Sequence, residues 1–274
     1  MPFTFSHPAF VLPFLRTRSR WFSLTGLVVG SITPDFEYFL RMEGERVHGH
    51  TVSGVFWFDL PLALIICFLF HNLVRNPLIN HLPVPLQQRF YKAKGFRWNA
   101  YFKSRWGIVL SSLLLGILSH LFADAFTNGG GYFVAEFGFL KRTVPFADTF
   151  IPYHAIVHRI ASLAGLAILA WAVWKLPADR HAPVNTHRSP YWTTAFLVTG
   201  FFFVIGVSER TDEEMRSVFW LYTPVLIIIF ISSFLLGLLI TSTFFKIKRR
   251  SQQWEQEMQQ RRQQNQHRIK KALQ

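Results

Sequence analysis

Trp106-Gly-Ile-Val-Leu-Ser-Ser-Leu-Leu-Leu-Gly-Ile-Leu-Ser-His120-Leu-Phe-Ala-Asp124-Ala-Phe-Thr127 is the stretch that decides how this chain folds. Across residues 106–127 there is no Lys, Arg or Glu, and the only ionisable side chains are His120 and Asp124. About 20 mainly apolar residues in a helix cross the hydrocarbon core of a bilayer. The stretch therefore reads as a transmembrane helix with two polar groups near one end.

The same pattern recurs to either side. Residues 52–70, 156–176 and 218–245 are long apolar runs, 193–208 is shorter, and 23–40 is apolar until Pro34-Asp35 breaks it. Half of the 274 residues are hydrophobic and only 16% are charged. A soluble domain carries about a quarter charged residues. These features predict an all-α fold, a polytopic transmembrane helical bundle.

Loop charge gives the orientation, because cytoplasmic loops are enriched in Lys and Arg. Arg16, Arg18 and Arg20 precede the first segment, and residues 41–51 hold two Arg against two Glu. Residues 71–105 hold seven basic residues and no acid, and residues 128–155 are balanced. Residues 175–192 have three basic against one acidic, 209–217 two against four, and the tail after Phe245 nine against two. Basic excess alternates along the chain. That predicts six crossings with the basic loops and the C-terminal tail toward the cytoplasm. The net charge of +14 then belongs to segments beside anionic lipid headgroups, and a nucleic-acid partner is not expected.

Residues 87–106 interleave Phe90, Trp98, Phe102 and Trp106 with basic residues at multiples of four, which predicts an amphipathic helix in the membrane interface. Residues 3–15 form a further short apolar segment, expected as a re-entrant or interfacial helix turning at Arg16–Arg20 and carrying His7 toward Asp35. Cys67 is the only cysteine, so a disulfide or thiolate metal site within the chain is excluded. No signal peptide, phosphate-binding loop or nucleophile elbow is visible. The organisation expected is a site-bearing membrane region at 1–165, further transmembrane helices at 166–245, and a basic, Gln-rich tail at 246–274.

Ionisable groups are costly within a bilayer and commonly functional. Asp35, Asp59, His120, Asp124 and His158 fall in or at the ends of apolar segments, all toward the outer end in this topology. His48, His50 and His154 lie in the loops beside them. His120 and Asp124 are four apart and share a helix face. They can coordinate a metal together, Asp124 can orient His120, or the two can simply satisfy each other away from lipid. His154-x-x-x-His158 repeats the spacing. Asp35 follows Pro34 and reads either as an exposed carboxylate or as a helix stop. Asp59 reads as a helix cap or as support for neighbouring ligands, and Glu37 as solvent-facing or as support for Asp35.

Four blocks in order, Met1-Pro-Phe-Thr-Phe-Ser-His7-Pro, Gly30-Ser-Ile-Thr-Pro34-Asp35-Phe-Glu-Tyr, His50-Thr-Val-Ser-Gly-Val-Phe and Leu118-Ser-His120-Leu-Phe-Ala-Asp124-Ala-Phe-Thr, resemble a bacterial inner-membrane family described only as a domain of unknown function, DUF4184. The likeness runs over about the first 165 residues. More distantly, the order His, Pro-Asp, His-Thr, His-x-x-x-Asp is similar to membrane-bound metal-dependent hydrolases and, through them, to zinc phospholipase C. The resemblance implies a multi-pass protein of the bacterial inner membrane, with His7, Asp35, His50, His120 and Asp124 as metal ligands. His154 and His158 would fall near the last ligand pair. That pair is His-x-x-x-Glu in the hydrolases, and a further His expected between residues 125 and 153 is missing, Asn128 being the nearest substitute. One or two ions are therefore expected rather than three.

The function expected is a membrane-embedded metal-dependent hydrolase, acting on a phospholipid or lipid-linked phosphoester. Zinc is the expected cofactor, since the ligands are His and carboxylate. Such an ion ionises water near neutral pH, and Glu37 or Asp59 would serve as the base. Membrane lipids are the expected partners. Two other classes stay open: a transporter or proton relay, which also uses intramembrane His and Asp, and a non-catalytic scaffold whose polar groups tie helices together.

Overall fold

The structure, a computed structural model, describes residues 3–15, 21–45, 47–146, 149–210 and 223–272; the side chains of Leu15, Phe146 and residues beyond 260 are not described. The turn expected at Arg16–Arg20 and most of the acidic loop at 209–217 lie outside the described residues. In chain order the helices are α1 (Pro8–Leu15), α2 (Leu24–Gly30), α3 (Phe36–Arg41), α4 (Val52–His81), α5 (Val84–Phe90), α6 (Trp98–Thr127), α7 (Tyr132–Glu136), α8 (Tyr153–Trp174), α9 (Ser189–Arg210) and α10 (Thr223–Ala272). One short antiparallel hairpin, β1 (Thr143–Phe146) with β2 (Thr149–Pro152), precedes α8 and pairs Thr143 with Pro152. The chain is thus the all-α bundle expected.

Among the described residues, α4, α6, α8, α9 and α10 are long and apolar enough to cross a membrane. Their outward faces are apolar: Leu163, Leu197 and Val204 are 71%, 70% and 67% exposed. The interior is rich in polar side chains instead, including Ser31, Thr33, Asp35, Glu37, Asp59, His120 and Asp124. That inversion of the soluble pattern is what a lipid solvent selects. The stretch expected as the first crossing, residues 23–40, is α2, a tight 3-10 turn at Thr33–Asp35, and α3. Pro34 lacks an N–H and disfavours helical backbone at the residue before it, so the break falls there.

Helix α2 lies directly on α6. A Cβ added to Gly30 would stand 2.2 Å from the carbonyl oxygen of Leu113, and one on Gly116 would stand 2.5 Å from that of Leu27. Only glycine permits backbones this close, the small-residue packing that membrane helices use in place of a hydrophobic driving force. Ser23 caps α2 through Gly26 N–H, and its own N–H donates to Ser112 Oγ at 2.8 Å. This contact fixes where α2 begins, and the glycine contacts fix its far end, which carries the carbonyl of Ser31.

Two regions differ in detail from expectation. The amphipathic helix expected at 87–106 is broken into α5, a 3-10 turn at Tyr91–Gly95 and the first turns of α6, which kinks at Arg105. Trp98 explains the break: it is 2% exposed and stacks on His71 at 4.7 Å, so it serves the core rather than a lipid-facing stripe. The tail expected after residue 245 continues α10 as one helix. Helices α9 and α10 pair through Tyr191 Oη and Ser242 Oγ at 2.7 Å.

Candidate metal centre

Three elements deliver four polar side chains to one end of the bundle. The 3-10 turn after α2 presents Asp35, the loop before α4 presents His50, and the last turns of α6 present His120 and Asp124. One ligand atom from each lies within 4.8 Å of all the others. His50 Nε2 is 3.2 Å from Asp124 Oδ2, and His120 Nε2 is 3.4 Å from Asp35 Oδ1. The His50–Asp35 and His120–Asp124 separations are both 3.8 Å. Ligand atoms about 2 Å from a tetrahedral ion sit about 3.3 Å from one another. The observed spacing is therefore close to that of a ligand shell.

His7 joins from the N-terminal turn at Thr4–Ser6. Its ring stacks on His120 with centroids 3.8 Å apart, and its Nε2 lies 3.8 Å from Asp124 Oδ1. Asp124 thus turns one oxygen toward His7 and the other toward His50. Helix α8 holds this turn in place. Phe3 N–H donates to Ser162 Oγ at 2.8 Å, Ser162 donates to the carbonyl of His158 at 2.9 Å, and Gly165 lies against Ser6 with no room for a Cβ.

A second layer aims the first. Thr4 Oγ1 donates to Asp35 Oδ2 at 2.7 Å, leaving Oδ1 toward His120. His120 Nδ1 lies 2.8 Å from the carbonyl of Ser31. A carbonyl only accepts, so Nδ1 carries the hydrogen and the neutral ring presents its lone pair at Nε2, the atom that faces Asp35. Asn128 Nδ2 donates to Asp124 Oδ2 at 2.9 Å from one helical turn further on. Metal-binding His and carboxylate groups are commonly held this way. Asp35, His120 and His7 are 1% exposed or less, whereas the His50 side chain is 11% exposed, so the cluster opens on the side of His50.

The other expected residues are placed differently. Glu37 Oε1 accepts from Val47 N–H, and its Oε2 accepts from His48 and Gly49 N–H, at 2.8–2.9 Å. Three donors on one carboxylate favour its charged form and pin the loop that carries His50. In the structure Glu37 therefore anchors the loop before α4. Asp59 is fully buried on a π-helical turn of α4, and among the described residues neither oxygen has a hydrogen-bond partner. A Cβ on Gly49 would stand 3.3 Å from Asp59 Oδ1 and 3.4 Å from Glu37 Oε2, so the two carboxylates approach the same point. His154 and His158 lie on the first turns of α8 and are not among the four clustered ligands. His154 lies beside Gly129, whose added Cβ would be 3.5 Å from its Cε1. His48 packs on Trp57 at 4.6 Å.

Thr4 and the Ser31 carbonyl are supporting groups that sequence reasoning did not assign, and Asn128, expected only as the nearest substitute for a missing His ligand, instead supports Asp124. Asn128 had a signal, standing four residues after Asp124. A backbone carbonyl leaves none.

No curated protein and no solved structure matches the chain. A family model does, and its match reaches beyond the 165 residues of the expected likeness, through α9 and most of the apolar half of α10. Over residues 1–243 the chain matches the family described as "Domain of unknown function (DUF4184)", and it belongs to that family.

Proposed function

We propose that this chain is a membrane-embedded metalloenzyme that hydrolyses a phosphoester bond presented at the bilayer surface. The observation that carries the reading is the convergence of Asp35, His50, His120 and Asp124, with the lone pair of His120 Nε2 aimed at Asp35 Oδ1 across 3.4 Å. In a low-dielectric site two such acceptors repel unless a cation or proton lies between them. His and carboxylate without thiolate suits zinc or manganese.

Those four residues would hold the ion, and Asp124, with an oxygen toward His7 as well, suits a second. A bound ion supplies Lewis acidity and a more acidic water. The protein holds the ligands in register through Thr4, Ser31, Asn128 and Glu37. Asp59, whose oxygens have no hydrogen-bond partner among the described residues, is the carboxylate suited to take a proton. In hydrolysis the water oxygen bonds to phosphorus, the ester P–O bond breaks, and the departing alkoxide takes up a proton. The exposed edge at His50, at one end of the spanning helices, suits a headgroup entering from the membrane surface.

The test is hydrolysis of phospholipid in proteoliposomes and of a soluble nitrophenyl phosphodiester in detergent. The reading requires turnover abolished by a chelator and restored by zinc or manganese, and lost in His120→Ala. Metal-loaded wild-type protein inert toward both substrates would overturn the hydrolase reading and leave the metal site standing. Asp59 supports a second reading, proton relay, because a fully buried carboxyl with no hydrogen-bond partner among the described residues can carry a proton. Proton flux in the same proteoliposomes, lost in Asp59→Asn and without phosphate release, would favour it.

A further inference from the structure

The end of the bundle opposite the metal centre carries a cavity of about 1520 Å³. It lies between the end of α4, the start of α6 and the part of α10 where apolar sequence turns basic. Along α6 it is about 40 Å from Asp124 at 1.5 Å per residue, roughly a bilayer away. Arg75, Lys94, Arg97, Lys246, Arg249 and Arg250 are among its lining residues, and among the described residues no Asp or Glu is.

Arg75 is the telling member, at 7% exposed. Among the described residues its guanidinium donates only to neutral acceptors: Nε to Asn76 Oδ1 at 3.0 Å, Nη1 to His71 Nδ1 at 3.0 Å, and Nη2 to the carbonyl of Lys94 at 3.4 Å. Since His71 Nδ1 accepts, His71 is neutral and its Nε2 hydrogen faces Thr25 Oγ1 at 3.0 Å. Among the described residues no carboxylate pairs with Arg75 or with any other cation lining the cavity. A buried cation without a counter-charge is strongly unfavourable, and a ring of further cations adds repulsion. Exposed lysines and arginines at a membrane surface attract headgroups loosely wherever they stand. That does not account for a buried arginine.

We infer that this cavity binds the phosphate group of an anionic ligand, carried either by a phospholipid headgroup or by a soluble phosphate compound. Guanidinium groups match phosphate oxygens in charge and geometry. Side-chain amides of Asn76, Asn80 and Asn99 line the same space and add neutral donors. The inference does not depend on the metal centre.

Full-length protein in neutral detergent, titrated with short-chain phosphatidylglycerol, short-chain phosphatidylcholine and inorganic phosphate, tests it. Trp98 lines the cavity and its fluorescence reports occupancy. Saturable, salt-sensitive binding of phosphatidylglycerol over phosphatidylcholine supports a lipid ligand, and the same response to inorganic phosphate supports a soluble one. In either case Arg249→Gln and Arg250→Gln should each weaken binding about fivefold. Lys103→Gln, an exposed charge outside the cavity, should leave it unchanged. Equal binding of both lipids with none of phosphate, or an equal loss in Lys103→Gln, would overturn the inference.

Discussion

His120 Nε2 and Asp35 Oδ1 face each other across 3.4 Å, while the far side of the His120 ring is fixed by the Ser31 carbonyl at 2.8 Å. The two facing atoms both carry lone pairs when the ring is neutral, so the pair is a place for a cation. Asp35→Asn keeps the shape and removes the charge. It should weaken metal binding by roughly 10- to 100-fold, yet leave the chelator-treated protein at least as thermostable as wild type. Melting curves with and without zinc separate the two effects, because an ion that binds only the folded state raises its stability. A large loss of stability in chelator as well would mean that the pair is a structural ion pair.

Thr4 touches the centre only through Asp35 Oδ2, at 2.7 Å. Thr4→Val removes the hydroxyl and keeps the volume. The expected cost to folding is about 1 kcal/mol. The expected cost to metal affinity is larger, about tenfold or more. Competitive chelator titration measures the second, and an unchanged affinity would show that Asp35 needs no orienting partner.

Glu37 separates a positioning role from a catalytic one. Its carboxylate accepts three backbone N–H groups from the loop before His50. Glu37→Gln should therefore lower metal affinity, through misplacement of His50, and lower stability by about 1–3 kcal/mol. A base that only accepts a proton would lose turnover with metal content intact, and finding that would support the reading of Glu37 as a base.

His154 and His158 stand outside the four-ligand group. Doubly substituted protein, His154→Ala with His158→Ala, should keep the metal stoichiometry of wild type. Elemental analysis decides it, and loss of an ion would bring the α8 pair into the ligand set.

The close approach of α2 to α6 gives a packing test. Gly30→Ala would place a Cβ 2.2 Å from the Leu113 carbonyl oxygen, whereas Gly107 has nothing within 4 Å of an added Cβ. Gly30→Ala should destabilise by about 1–3 kcal/mol or prevent folding. Gly107→Ala should be neutral or slightly stabilising. Similar melting temperatures for the two would contradict the close packing that brings Ser31 to His120.

Much of this molecule was legible because a bilayer imposes length and polarity on sequence. The apolar run at 106–127 could satisfy its backbone in lipid only as a helix, and α6 contains it. The clustered side chains were legible for the same reason: His120 and Asp124 are expensive in such a run and had to face inward. What escaped was set by tertiary packing. Trp98 fits an aromatic stripe at helical spacing but is drawn into the core by His71, which breaks the expected interfacial helix. Glu37 looked like a free carboxylate because its partners are backbone amides, which no residue type advertises. The orientation of His120 depends on the Ser31 carbonyl, delivered by glycine contacts some ninety residues apart in sequence.

The most direct measurement is the metal content of full-length protein, purified in mild detergent without a polyhistidine tag, incubated with zinc or manganese, and dialysed. Wild type should retain about one ion or more per chain. His120→Ala and Asp124→Ala should retain none while keeping the helical circular-dichroism spectrum of wild type. A wild-type protein that is folded and metal-free after the same treatment would contradict the metal centre.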